Sequence, residues 1–345
     1  MKLIVQIPSF NEEATIAATI RDIPRRIPGI DEVEILVIDD GSRDETAQVA
    51  RAAGADHVVH HTCNKGLARA FRSGLDASLK LGADVIVNTD ADNQYVGADI
   101  PKLIEPILDG RADIVIGDRQ TKTVQGFSRF KKLLQQLGSF VVRRLSNTSV
   151  PDAVSGFRAL SRQAAIRLNP ISDFSYTIET LIQAGQDRMA VVSVPIGVNP
   201  QSRPSRLFKS LPQFLYRSVA TMVRSYMMYQ PLKAFSALGL MLMIIGAGPI
   251  VRFLYYYFAG TAGGHIQSLV LGGILVTVGV IVLTVGMVAD LIDSNRKLIE
   301  ILLERVRRIE LREYEHSSDP EPQVGPAEAT AELAPEPQLR ERIEA

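Results

Sequence analysis

The sequence predicts an α/β domain built on a mainly parallel sheet, followed by an amphipathic helix and a two-helix transmembrane hairpin. Three observations predict it. Short apolar runs alternate with helix-like segments through residues 1–200, polar clusters close several of those runs, and two long uncharged stretches lie near the C-terminus.

The strand-like runs are 2–7, 34–38, 57–60, 85–88 and 113–116, and the helix-like segments between them are 12–23, 43–53, 67–79 and 99–108. Alternation of this kind builds a parallel sheet covered by helices on both faces. In such sheets ligands bind beyond the carboxyl ends of the strands. The polar clusters stand at those ends: Pro8-Ser9-Phe10-Asn11-Glu12, Asp39-Asp40-Gly41-Ser42 and Asp90-Ala91-Asp92. Each alone reads as a solvated turn, but three on one edge read as a site. No GxGxxG follows the first strand and no GxxxxGK[ST] occurs, so the usual glycine loops for nucleotide phosphates are missing. Asp90 and Asp92 offer another route, because a hard divalent cation accepts one or two carboxylates and shares its shell with substrate phosphates.

Residues 234–251 run for eighteen without a charge, and residues 266–289 for twenty-four. A helix crosses the hydrocarbon core with about 20 apolar residues, so both are candidate spans. The link between them is short, which makes a hairpin. Arg217, Arg224 and Lys233 precede the first span, and Arg296, Lys297, Arg305, Arg307 and Arg308 follow the second. The positive-inside rule then predicts a multi-pass protein of the cell membrane with both termini and the α/β domain cytoplasmic. A buried hairpin in a soluble protein is the alternative. Gly239 and Gly246, and likewise Gly272, Gly279 and Gly286, recur every seven residues and share a helix face. That face suits a homo-oligomer contact, although glycine abundance in spans explains it equally well.

Before the spans, Phe214, Leu215, Val219, Met222, Val223, Tyr226 and Met227 recur at helical spacing, which reads as an amphipathic helix on the membrane surface or against the domain. The expected organisation is a domain over 1–207, an interface helix over 208–230 and a membrane unit over 231–292 with spans at about 234–258 and 266–290. A charged cytoplasmic helix over 293–315 and a disordered acidic tail over 316–345 complete it. The net charge is zero but unevenly spread: 201–233 holds six Lys or Arg and no acid, which suits an anionic partner. The single cysteine, Cys63, excludes an intrachain disulfide and suits a reducing compartment. The opening apolar run is too short for a signal peptide.

IPSFNEE, VIDDGSRDET, NTDADNQY and VSGFRALS, in this order and at this spacing, resemble the family 2 glycosyltransferases of GT-A fold. The likeness is greatest to the polyprenyl-phosphate glycosyltransferases, the group that includes dolichyl-phosphate mannose synthase, and it covers residues 2–210. The resemblance implies a hexosyltransferase using a UDP- or GDP-linked sugar, a polyprenyl phosphate (dolichyl or undecaprenyl) and Mg²⁺ or Mn²⁺, with no nucleic-acid partner. It places Pro8, Phe10 and Glu12 at the nucleoside, Asp40 at base or ribose, Asp90 and Gln94 at the donor sugar, and Asp92 on the metal. Arg119 would reach phosphate, with Arg129, Lys131 and Lys132 on the acceptor side. Arg203, Arg206 and Lys209 match the basic loop before the membrane helix, where headgroup attraction alone is the plainer reading.

Two departures matter. Some relatives carry an acid just before FR, where this chain has Gly156, and the absence of tryptophan excludes the QxxRW motif of processive polysaccharide synthases. A missing base fits a phosphate acceptor, because an attacking hydroxyl must lose a proton whereas a phosphate monoester is already ionised. Asp152 and Glu179 remain candidate bases, and Glu179 reads equally as a helix-surface glutamate. A transferase to a lipid or glycan hydroxyl is therefore the rival reading, and a non-catalytic membrane scaffold that keeps the fold is a second.

Overall fold

The computed structural model describes residues 1–119, 150–170, 176–199, 227, 230–260 and 265–318. The elements run β1 (Lys2–Ser9), α1 (Ile16–Asp22), β2 (Glu32–Asp39), α2 (Thr46–Ala52), β3 (His57–His60), α3 (Leu67–Lys80), β4 (Val85–Asn88), α4 (Ile100–Leu108), β5 (Ile114–Asp118) and β6 (Arg158–Ser161). There follow α5 (Arg162–Arg167), α6 (Tyr176–Gln186), β7 (Val191–Pro195), α7 (Pro231–Phe258) and α8 (Ile266–Ser318). The strands form one sheet in the order β3-β2-β1-β4-β6-β5-β7. All its pairings are parallel except those of β6, which runs antiparallel between β4 and β5. This is the expected GT-A architecture.

Alternation along the strands sends side chains to two cores. Leu3, Val5, Ile7, Ile35, Val37, Val85 and Val87 pack under α1 and α4. Ile4, Leu36, Ile38, Ile86, Ile114 and Ile116 pack under α3, α5 and α6. Each such fully buried side chain contributes about 1.5–3 kcal/mol. Gln6 breaks the apolar run of β1 on the α3 face. The helix accommodates it at Gly74, where an added Cβ would lie 2.5 Å from the Gln6 Oε1 atom.

The strand order reverses on either side of β1, since the chain goes from β1 to β2 and β3 on one side and then crosses to β4 on the other. Such a switch point opens a crevice at the carboxyl edge. The ends of β1, β2 and β4 border it, and these carry the polar clusters. Helices α1 and α2 begin at Ile16 and Thr46. Both starts fall a few residues after the expected ones, because the preceding residues are bound into loops at the crevice.

At the other end of the chain, α7 and α8 are long and apolar enough to cross a membrane. They pair through their glycines. A Cβ on Gly239 would lie 2.8 Å from the Gly279 carbonyl, and one on Gly246 would lie 2.9 Å from that of Gly272. Gly286 fits against Phe235. The seven-residue glycine face thus packs within the chain, and the homo-oligomer contact expected through it is occupied by the partner helix of the hairpin. Leu240, Met241, Ile244, Val270, Ile274 and Ile281 on the outer faces are exposed, so this is not the buried hairpin of a soluble core. The second span and the charged helix form one continuous helix, α8. The interface helix over 208–230, apart from Met227 and Gln230, and the acidic tail beyond 318 lie outside the described residues.

Candidate active site

The first two loops hold each other. After β1, Asn11 takes a left-handed backbone (φ 54°), a conformation asparagine tolerates better than most residues. Its N–H donates to Ser42 Oγ at 2.9 Å, and its Oδ1 accepts from the Arg43 N–H at 2.8 Å. The Glu12 N–H donates to Thr46 Oγ1 at 2.8 Å, and the Glu13 carboxylate accepts from the Glu45 N–H at 3.1 Å. The FNEE and SRDET stretches are therefore two halves of one clasp. Pro8 is buried at the end of β1, Phe10 beside it is exposed, and the Glu12 carboxylate accepts from Thr15 Oγ1 at 2.9 Å.

Asp40 is buried and densely bonded. Its Oδ1 accepts from the Lys65 N–H at 2.9 Å and meets His61 Nδ1 at 2.7 Å, while its Oδ2 accepts from the Gly66 N–H at 2.8 Å. His61 continues to Ser73 Oγ at 3.0 Å. Asp40 thus fixes the start of α3 at the crevice, and its role toward a nucleoside is a separate matter. Gly41 is required beside it: φ is +70°, and a Cβ would lie 2.5 Å from the Cys63 backbone.

Asp90 is arranged differently. Burial, and then the charge of Asp92, push its carboxyl up to about 6, against the pull of Arg119. Tyr95 holds it. The Tyr95 hydroxyl accepts from the Gly156 N–H at 3.0 Å and bonds Asp90 with its proton. The ring is buried and stacks on Phe157 at 5.1 Å between centroids. Gly156 is pressed against the carboxylate, for an added Cβ would lie 2.8 Å from Asp90 Oδ1. Any side chain there would displace Asp90, which gives a steric reason for glycine before FR.

Asp92 accepts from the Gln94 N–H at 3.1 Å in a tight turn through Asn93, φ 56°. The Gln94 carbonyl accepts from the Asn199 N–H at 2.9 Å, which ties this loop to the segment that follows β7. Arg119 reaches the same neighbourhood from the end of β5. It grips Asp152 with two bonds, Nε to Oδ2 at 2.7 Å and an Nη to Oδ1 at 3.0 Å. That grip, together with the fields of Tyr95 and Asp90, raises the guanidinium above its ordinary value despite burial.

Asp90, Asp92 and Arg119 are thus brought together. Glu179 sits on α6 and is buried, not a surface glutamate, and it lies close enough to Glu300 of α8 to help raise that carboxyl. Arg129, Lys131, Lys132, Arg203, Arg206 and Lys209 lie outside the described residues. Sequence reasoning gave no role to Tyr95 or to Arg158. Arg158 is fully buried and donates to the carbonyls of Ser155, Ala153 and Thr177 and to Thr180 Oγ1, each at 2.7 Å. It folds the SGF loop over α6, at the cost of a pKa lowered to about 10 by burial. Both residues stand inside the motifs, so the signal was position without an assigned partner.

The model of glycosyl transferase family 2 matches residues 4–168. The dolichol-phosphate mannosyltransferase of Pyrococcus furiosus is 30% identical over 258 residues, 72% of this chain and 71% of that one. The chain belongs to glycosyl transferase family 2. Within the family, the polyprenol monophosphomannose synthase of Mycolicibacterium smegmatis is 30% identical over 206 residues, 56% of this chain and 76% of that one. These names bear out the resemblance to the polyprenyl-phosphate group of family 2. Among solved structures, glucosyl-3-phosphoglycerate synthase from Mycobacterium tuberculosis, in complex with Mn²⁺, UDP-glucose and phosphoglyceric acid, superposes with a TM-score of 0.50. Identity there is 26%, and the match covers 66% of this chain and 78% of that one.

Proposed function

We propose that this family 2 enzyme is a membrane-anchored inverting glycosyltransferase that moves one sugar from a UDP- or GDP-linked donor to a polyprenyl phosphate at the cytoplasmic leaflet. One observation supports the phosphate acceptor above all. Both oxygens of Asp152 are taken by Arg119, and Gly156 fills the position beside Asp90. Asp152, one of the two candidate bases, is thus committed to an arginine and is poorly placed to take a proton from a hydroxyl. A phosphate monoester needs no such base, and catalysis reduces to positioning and charge neutralisation.

Asp90 and Asp92 fit a hard divalent cation, Mg²⁺ or Mn²⁺. Two carboxylates share one turn, and one of them is pushed up by burial and then by the other's charge, a repulsion that a cation relieves. Among the described residues no set of three ligands stands together, which suits an ion that completes its shell with the donor diphosphate. Such an ion would supply charge neutralisation for the departing nucleoside diphosphate. Arg119, held by Asp152, presents the rest of its positive charge to the same region. The clasped first loops and the exposed Phe10 would take the nucleoside, with Arg129, Lys131, Arg203, Arg206 and Lys209 available to the acceptor phosphate.

Membranes containing the protein, incubated with labelled nucleotide sugars and polyprenyl phosphate, should yield a lipid-extractable labelled sugar in the presence of Mg²⁺ or Mn²⁺. Labelling of a hydroxyl acceptor instead, with loss on Asp152→Ala or Glu179→Ala, would overturn the reading in favour of base catalysis. Metal-dependent binding of a nucleoside diphosphate by calorimetry separates an enzyme from an inert scaffold.

A further inference from the structure

The cytoplasmic half of α8 does not project freely. Its Arg307 donates to the carbonyls of Ala165, Ile166 and Leu168 at 3.0–3.3 Å, where α5 ends, and forms an ion pair with Asp76 of α3 at 3.0 Å. Helix C-termini carry unsatisfied carbonyls and partial negative charge, so a guanidinium is a strong cap there. Around it, Arg308 donates to Gln163 at 2.8 Å, Glu304 faces Arg167 at 3.7 Å, and Leu311 is buried in the domain core.

The direction of this contact matters. Helix α5 begins beside the start of β4, since the Arg162 N–H bonds the Asp84 carbonyl, and Asp76 lies in the last turns of α3. Residues 304–311 therefore grip the edge of the domain opposite the crevice. Earlier on α8, Glu300 lies within the fields of Asp187 and Glu179, and Glu179 sits near the start of α6, the end at which Tyr176 reaches Asn88 beneath the donor loop. Going away from the hairpin, the helix thus runs alongside α6 first and reaches the far edge of the domain last. From Ala289 to Leu311 it advances about 33 Å at 1.5 Å per residue.

We infer that the cytoplasmic half of α8 is a strut that holds the crevice edge of the domain toward the bilayer, and that Arg307 is the positioning residue that locks it. The inference rests on the membrane-acceptor reading above. The strut does not touch the reacting groups. It sets the height and tilt at which the donor site meets a lipid-linked phosphate, and a phosphate on a short soluble chain does not require it.

The test uses the full-length protein in phosphatidylcholine–phosphatidylglycerol vesicles, with a long-chain polyprenyl phosphate or a short water-soluble prenyl phosphate as acceptor. Two variants are compared with the parent. Arg307→Ala unlocks the strut, with Arg307→Lys as its conservative control. Inserting seven polar helix-forming residues between Asp290 and Leu291 keeps every docking contact in phase but lifts the domain by about 10 Å. Each variant should lose at least tenfold in kcat/KM on the long-chain acceptor, with the loss in KM. The short acceptor and the nucleotide-sugar KM should stay within twofold, and Arg307→Lys should recover part of the loss. Equal losses on both acceptors, or no loss on either, overturn the inference.

A second readout does not depend on turnover. Cys63 is the sole cysteine, is exposed, and lies against Gly41 at the crevice edge. A fluorophore on it should transfer energy to headgroup-labelled lipid in the parent and lose transfer in the insertion variant by an amount matching the added length. Unchanged transfer overturns the strut. Failure of the parent protein on both acceptors would instead count against the acceptor reading, and the Cys63 distance would then decide the strut alone.

Discussion

Asp40 and Asp90 stand at the ends of β2 and β4, the two strands that flank β1, yet their surroundings are opposite. Asp40 is saturated by two backbone donors and His61. Asp90 is half-buried, packed against Asp92 and a glycine, and its carboxyl is pushed up to about 6. The difference teaches how to tell a carboxylate that builds a site from one that waits for a ligand. The first has its charge distributed over internal donors. The second is held in place by Tyr95 and left with a like-charged neighbour.

The contrast can be broken by substitution, and the largest effect belongs to the waiting pair. Asp92→Asn should lower metal-dependent turnover by about 10³-fold while the thermal midpoint stays within a few degrees. Comparable loss of fold and activity would make Asp92 a structural residue like Asp40. Next comes Asp40→Ala, which strands the Lys65 and Gly66 N–H groups and the His61 ring. Urea denaturation should show a loss of about 2–4 kcal/mol, and a smaller change would erase the distinction from the other side.

Asp90→Asn should act in the reverse direction on stability. The folded protein holds the Asp90 proton more tightly than the unfolded chain does, so this group favours folding in acid and loses that contribution as pH rises through about 6. In metal-free protein at pH 8 the substitution should stabilise by about 1–2 kcal/mol. The gain should shrink as pH falls and vanish below pH 4 on a series of melting curves. A constant gain across that range would mean that charge is not the cause. The smallest effect is expected for Gly156→Ala. The new methyl must push the Asp90 carboxylate aside, which should lower turnover by about tenfold. Metal affinity by calorimetry should weaken with it, and unchanged affinity would show that Asp90 has room to move.

Much of this was legible in the sequence. The first five strands were found because each is a short apolar run, and the crevice edge because polar clusters follow them. Strands β6 and β7 were not found. Strand β6 opens on Arg158, whose charge is satisfied by carbonyls of the preceding loop and of α6 and by Thr180 Oγ1. The late starts of α1 and α2 share this cause, since Glu12, Glu13 and Glu45 look like helix residues until the clasp between two distant loops is formed. The DxD pair was legible as chemistry, but the link from Asp90 through Tyr95 to Gly156 depends on a contact sixty-one positions apart. The glycine repeat was legible as a packing face. Its partner was not, because spacing shows which side of a helix is small and not which helix meets it.

One consequence follows from α8 being a single helix from Ile266 to Ser318. No loop lies between the span and the part that grips the domain, so nothing absorbs rotation between them. In the proposed membrane-anchored arrangement, a bilayer thinner than the apolar stretch makes α8 lean, and the domain leans with it. The crevice edge would then swing across the headgroup layer as an arm swings about a pivot. In that arrangement lipid thickness, which has no contact with the crevice, becomes a variable of the enzyme's geometry.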